Sequence, residues 1–207
     1  MAHIPDGVLS LPVLLGGGVL AVGGLALALS RLDERDIPKT AILAAVFFVT
    51  SLVSVPIGPS SVHLLLSGLI GIVLGLAAIP AIFVGLLLQA VLFGFGGLTA
   101  LGVDVVDIAF PGTILGLLAA PLLARTSSLA AALLAGAVAA ASVVGTAGCV
   151  TLALALSSPD YLPSLRLVAL TYLPLAAVEA VVTGFVVAYL KQVKPEILAA
   201  PSREVLG

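Results

Sequence analysis

The 207-residue chain is 61% hydrophobic and only 9% charged, with a formal net charge of −2. A water-soluble domain carries about 25% charged residues, so this chain lacks the charges to cover a solvated surface and uses lipid as its solvent. Nothing in the charge balance speaks for nucleic acid, and the single cysteine, Cys149 in an apolar run, excludes a disulfide framework or cysteine metal cluster and reads as a packed thiol.

Met1-Ala2-His3-Ile4-Pro5-Asp6-Gly7 opens the chain. The segment has no basic n-region and no small-residue cleavage site ahead of a soluble body, so it is expected to stay rather than leave as a secretory signal. A histidine beside a free α-amino group chelates a square-planar ion through the amine, a deprotonated amide and the imidazole Nδ1. Copper(II) and nickel(II) favour such tetragonal nitrogen sites. If Met1 is removed, Ala2 supplies the amine and His3 an amide and an imidazole nitrogen, and the one other histidine, His63, can fill the open corner. If Met1 is retained, His3 is third, the N-terminal segment fills all four corners, and His63 is redundant. The small Ala2 favours methionine removal. A chance histidine near a start site is the bland alternative. Ile4-Pro5-Asp6-Gly7 reads as a turn that folds the terminus back onto the bundle, with Asp6 holding the turn or supporting a ligand from behind.

Seven apolar segments follow: 11–30, 40–54, 61–79, 80–93, 105–124 interrupted at Pro111, 129–156 and 165–190. Spanning needs about 17–25 helical residues; the second and fourth are short and must lean on neighbours. The expectation is an all-α integral membrane protein, one domain over residues 1–207, with seven transmembrane helices. Residues 1–9 form a chelating segment and 191–207 a cytoplasmic tail. With the N-terminus outside, Arg31, Arg35, Lys39, Arg125, Lys191, Lys194 and Arg203 fall on the cytoplasmic side and only Arg166 outside, a strong positive-inside pattern. Asp6, Asp104, Asp107 and Asp160 then form a mildly acidic outer mouth, suited to an incoming cation and equally explained by solvation. Small residues form ridges at Ser67, Gly71 and Gly75 and at Ala132, Gly136 and Ala140, which let helices approach closely in lipid.

His63 is expected about one turn inside the outer end of the third helix, on one face with Ser67 and Gly71. An ionisable residue at membrane depth points to function, though a neutral histidine bonded to a backbone carbonyl explains it too. Glu179 lies near the middle of the seventh helix with Thr183 one turn on, and Gln89 lies in the fourth. Glu179 either balances a bound cation or orients a ligand, or is simply protonated between helices. The glycine-rich stretch 93–104 is either a lid over the outer mouth or an ordinary loop. There is no G-x-x-x-x-G-K-[ST] phosphate loop and no H-E-x-x-H.

The opening motif, Val55-Pro56-Ile57-Gly58-Pro59-Ser60-Ser61-Val62-His63-Leu64 and Leu92-Phe93-Gly94-Phe95-Gly96-Gly97-Leu98-Thr99-Ala100-Leu101-Gly102-Val103 together resemble the CbiM/NikM family over nearly the whole chain. Those proteins are the substrate-binding membrane subunits of energy-coupling-factor nickel and cobalt transporters. The resemblance implies a six-helix core with an extra N-terminal helix, in the cell membrane of a prokaryote. It implies a planar four-nitrogen site for Ni(II) or Co(II) that falls here on Ala2, His3 and His63, with Asp6, Ser67 and Glu179 as candidates behind the ligands. It implies a transmembrane coupling subunit, cytoplasmic ATPase subunits and often a small accessory membrane subunit as partners, with the binding subunit toppling in the bilayer. No enzymatic activity and no cofactor are expected of the chain itself. The family usually has histidine directly after the initiator methionine. Here Ala2 intervenes, which makes methionine removal a requirement of the four-ligand scheme. The sequence ends without the fused accessory domain some members carry, so that component is expected to be separate or missing. The rivals are a substrate subunit for a vitamin-like organic ligand, against which the absence of tryptophan counts, a membrane scaffold with structural histidines, and a stand-alone permease.

Overall fold

In a computed structural model the structure describes residues 4–52, 54–57 and 60–198, with the backbone alone for 54–57, 60–62 and 162–170. Apart from one short hairpin the described chain is helical. The helices are α1 (Leu11–Leu29), α2 (Ile37–Ser51), α3 (Ser67–Leu74), α4 (Ala78–Phe93), α5 (Leu101–Arg125), α6 (Ser128–Ser157) and α7 (Leu165–Val193). The hairpin pairs β1 (Ser54–Ile57) with β2 (Ser60–His63) in antiparallel register, Ser54 opposite His63. Five stretches are long and apolar enough to cross a membrane: Leu11–Leu29, Ser67–Phe93, Leu101–Arg125, Ser128–Ser157 and Thr171–Val193. α2, at 15 residues, falls short of that length.

Sequence dictates several of the helix ends. α1 and α2 carry proline in the first turn, where its missing N–H has no helical partner anyway. α4 stops at Gly94, which takes φ +66°, the left-handed cap that glycine adopts without strain. α5 runs on through Pro111, whose ring packs toward Gly145 of α6.

Ser67–Phe93 is not one straight helix. A 3-10 turn at Gly75–Ala77 separates α3 from α4, with Gly75 at φ +55°. α3 descends alongside α5 in the same direction. Ser67 meets Gly112, Gly71 meets Gly112 and Gly116, and Gly75 meets Leu117. The small ridge on α3 thus has its partner in two glycines of α5, and any β-carbon there would collide with facing backbone. α4 returns and packs on α2, with Gly85 against Phe47. α6 and α7 pair antiparallel through Gly136 against Ala180 and Gly184 against Ala132.

These packings define two ends of the bundle. At one end the start of α1 meets the end of α6, where Ser10 N–H donates to Ser157 Oγ at 3.1 Å. At the other, Lys191 near the end of α7 donates through Nζ to the carbonyls of Leu123 and Ala124, the last of them at 3.1 Å. The main core runs between helices. A second, smaller apolar cluster of Ile4, Leu9, Ala100, Val103, Val150 and Ala153 seats the N-terminal segment on α5 and α6.

Two sequence expectations are corrected. His63 does not sit on the third helix and shares no helical face with Ser67 and Gly71: it ends β2, and α3 starts only at Ser67. Pro56 and Pro59 lack the amide protons a helix needs, so the chain takes a hairpin before it enters the helix. Asp104 and Asp107 are not in a solvated loop, and with them half of the expected acidic mouth is lost. α5 begins at Leu101, and both carboxylates are 3% exposed inside the bundle.

Candidate metal centre

His63 is buried at the end of β2. Its Nδ1 lies 3.1 Å from the carbonyl oxygen of Leu64. With the proton on Nδ1 the ring donates to that carbonyl and carries its lone pair on Nε2, the arrangement that backbone bonds impose on metal-binding imidazoles. Burial holds the imidazole below its ordinary pKa, against the opposing pull of the Leu64 carbonyl, and the neutral ring is the metal-binding form.

The turn behind His63 is held from across the bundle. Leu66 has φ +49°, the one non-glycine residue with positive φ among the described residues. Glu179 of α7, fully buried, offers Oε1 to the N–H groups of Leu65 and Leu66, the latter at 2.8 Å. The carboxylate therefore grips the backbone two and three residues after His63. Its second oxygen, the Ser67 hydroxyl, the Gln89 amide and the Thr183 hydroxyl are buried with no hydrogen-bond partner among the described residues.

The N-terminal turn docks at the opposite end of α5 from Lys191. Asp6 Oδ1 accepts from the N–H of Thr99 at 3.0 Å, from the N–H of Ala100 at 3.3 Å, and from the Thr99 hydroxyl. Those bonds, led by the hydroxyl, hold the Asp6 carboxyl below its ordinary range. Gly97 lies against Asp6 so closely that any side chain there would displace it. The glycine-rich stretch is thus the cradle of the N-terminal turn. Gly7 closes that turn at φ +83°. Three residues before Gly7, the buried Ile4 donates its N–H to Asp104 Oδ1 at 3.0 Å.

Ala2 and His3 lie outside the described residues. The structure places the Asp6 carboxylate against the loop into α5, Glu179 behind the His63 turn, and Ser67 at the start of α3 with its backbone against Gly112. Among the described residues no three His, Cys, Asp or Glu side chains converge as ligands, so His63 offers a single donor there. Asp104 was read in the sequence only as part of an acidic mouth. Its partner is a backbone N–H 100 residues away, which no local pattern signals.

The arrangement matches known proteins over its length. A family model described as the cobalt uptake substrate-specific transmembrane region, CbiM, matches residues 3–197. A protein of Haemophilus influenzae named for metal transport is 38% identical, over 95% of this chain and 96% of its own length. The fused nickel transport protein NikMN of Rhodobacter capsulatus is 33% identical over 95% of this chain and 64% of its own. The cobalt transport protein CbiM of Geobacter sulfurreducens is 32% identical over 95% of this chain and 61% of its own. The chain therefore spans under two thirds of those last two relatives. The crystal structure of a truncated transition metal transporter superimposes with a TM-score of 0.72 at 29% identity, covering 92% of this chain and 98% of the other. On a match over nearly its whole length, the chain belongs to the CbiM/NikM family of membrane-spanning nickel and cobalt transport proteins.

Proposed function

We propose that the chain captures Ni(II), or Co(II), at the outer face and delivers it for ATP-driven import as the substrate-binding subunit of an energy-coupling-factor transporter. In this reading the bundle has seven transmembrane helices with the N-terminus outside and the C-terminus in the cytoplasm of a prokaryotic cell. The metal sits in a plane of four nitrogens: the amine of Ala2 after removal of Met1, the amide and imidazole of His3, and the imidazole of His63. A coupling subunit, cytoplasmic ATPase subunits and a small accessory membrane subunit complete the transporter. A rigid planar nitrogen set favours Ni(II) by geometry more than by raw affinity.

The observation that carries this reading is the docked N-terminal turn. Ile4, the residue after His3, is buried and bonded to the first turn of α5. α3 runs parallel to α5 from Ser67 at the level of Gly112, so the hairpin ending in His63 leaves toward that same end of the bundle. A free terminus would spread over many conformations; this one has the residue beside His3 fixed to the first turn of α5.

Native mass spectrometry of the purified chain after exposure to Ni(II) tests the site. The expected result is one nickel on a chain lacking Met1, lost in both His3→Ala and His63→Ala. Nickel held unchanged by a His63→Ala chain that retains Met1 would instead mark a self-sufficient terminal chelate. Because an amide must release its proton to bind, affinity is expected to rise with pH, which titration at several pH values checks.

A further inference from the structure

We infer that Asp104 is a positioning residue for metal capture: it sets the register of the N-terminal segment by accepting the backbone N–H of Ile4, and so fixes where the neighbouring His3 presents its nitrogens. The inference rests on the proposed Ala2, His3 and His63 site.

Three observations converge on it. The bond is direct, 3.0 Å from Ile4 N to Asp104 Oδ1, and it joins residues 100 apart in sequence. Both partners are buried, Ile4 at 4% and Asp104 at 3% exposure, so water cannot take over the bond when it breaks. The acceptor stands on the first turn of a 25-residue helix, a rigid platform, whereas Asp6, two residues further along the segment, is held only by the loop before that helix. A chelate of planar geometry tolerates little rotation of its donors, and His3 is one peptide from the fixed amide. Ile4 and Leu9 pack with Ala100, Val103, Val150 and Ala153, which holds the segment against the bundle, and the Asp6 and Ser10 bonds fix it further along the chain. Among the described residues, the Asp104 bond alone holds the amide next to His3.

The mechanism separates position from charge. Asp104→Asn keeps an oxygen acceptor where the carboxylate oxygen stood and removes the ionisable group. Asp104→Glu keeps the ionisable group and moves the acceptor by one methylene. Asp104→Leu removes the acceptor and keeps the γ-branched shape. Loss of a supporting hydrogen bond behind a metal ligand costs about 10- to 100-fold in affinity. Nickel titration of the full-length chain in detergent is expected to give near-native affinity for Asp104→Asn. Asp104→Glu and Asp104→Leu are expected to bind about tenfold or more weakly, with a shifted ligand-field absorption band. Thermal unfolding of the metal-free variants separates this from a merely structural role, which would lower stability and leave affinity and spectrum unmoved.

Native affinity and spectrum in both Asp104→Glu and Asp104→Leu would overturn the inference. So would weak binding by Asp104→Asn beside native binding by Asp104→Glu, since the carboxylate would then act by charge. Should Asp104→Leu fail to fold, the Asn and Glu pair decides. His3→Ala and His63→Ala run alongside. If they keep nickel, the site itself is wrong; if they lose it while every Asp104 variant binds normally, only the positioning role falls.

Discussion

Two carboxylates hold backbone, Glu179 at the turn after His63 and Asp6 at the loop into α5, and each has a separable consequence. Glu179 accepts two buried N–H groups at the turn after His63. Glu179→Ala leaves both donors without an acceptor, at roughly 1–3 kcal/mol for each buried group. Thermal unfolding of the metal-free chain is expected to show that loss, and Glu179→Gln, which keeps an Oε1 acceptor, is expected to recover most of it. Asp6 responds to pH instead. Its pKa is lowered by the bonds to Thr99 and Ala100, so its contribution is present above the ordinary carboxylate range and disappears as pH falls through the depressed value. Protection of the Thr99 and Ala100 amides from hydrogen exchange should therefore persist through pH of about 4 and drop below it. Loss of protection already near neutral pH would show that the carboxylate does not hold this loop.

At the scale of elements, α3 and α5 approach closely where glycines face each other's backbone. A β-carbon at Gly71 would run into the Gly112 carbonyl, and one at Gly112 into the backbone of Ser67. Overpacking of this kind costs about 1–3 kcal/mol, occasionally more. Gly71→Val and Gly112→Val are expected to lower the unfolding temperature, whereas Gly16→Ala on α1, where a β-carbon meets nothing within 4 Å, should leave it unchanged or raise it. Equal effects at all three positions would refute close helix packing as the cause. The ridge of Ser67, Gly71 and Gly75 was legible in the sequence, and so were α1, α6 and α7 to within a few residues, because apolar runs in lipid are bounded by polar ones. The site was less legible. Reading His63 onto a helix followed from its apolar surroundings, yet its turn is set by Glu179, 114 residues from Leu65, and no local pattern carries that. Asp104 reads as a loop residue because a charge before an apolar run looks like a boundary. Its partner is the Ile4 amide, a backbone group that side-chain patterns do not report.

For the molecule as a whole, the two ends of the bundle carry different chemistry. The Ile4–Ser10 turn, the loop before α5 and the end of α6 meet at one end. At the other, Lys191 places its ammonium on the final carbonyls of α5, beside Arg125. A cation there complements the negative end of the helix dipole, so the basic cluster is part of the fold as well as a topological signal. Basic residues flanking apolar helices stay in the cytoplasm, which would put the N-terminal turn outside, where capture requires it. The test uses single cysteines in a Cys149→Ser background. Asp160→Cys, just after α6, and Gln192→Cys, at the end of α7, are both exposed positions. An impermeant maleimide applied to intact cells is expected to label Asp160→Cys at once and Gln192→Cys only after permeabilisation. The reverse pattern would turn the metal site to the cytoplasm and sink capture from outside. Labelling of both in intact cells would put the two ends of α7 on the same side and overturn its assignment as a crossing helix. Because the Ser10–Ser157 bond ties the end of α6 to the start of α1, the side found for Asp160 fixes the side of the N-terminal turn as well.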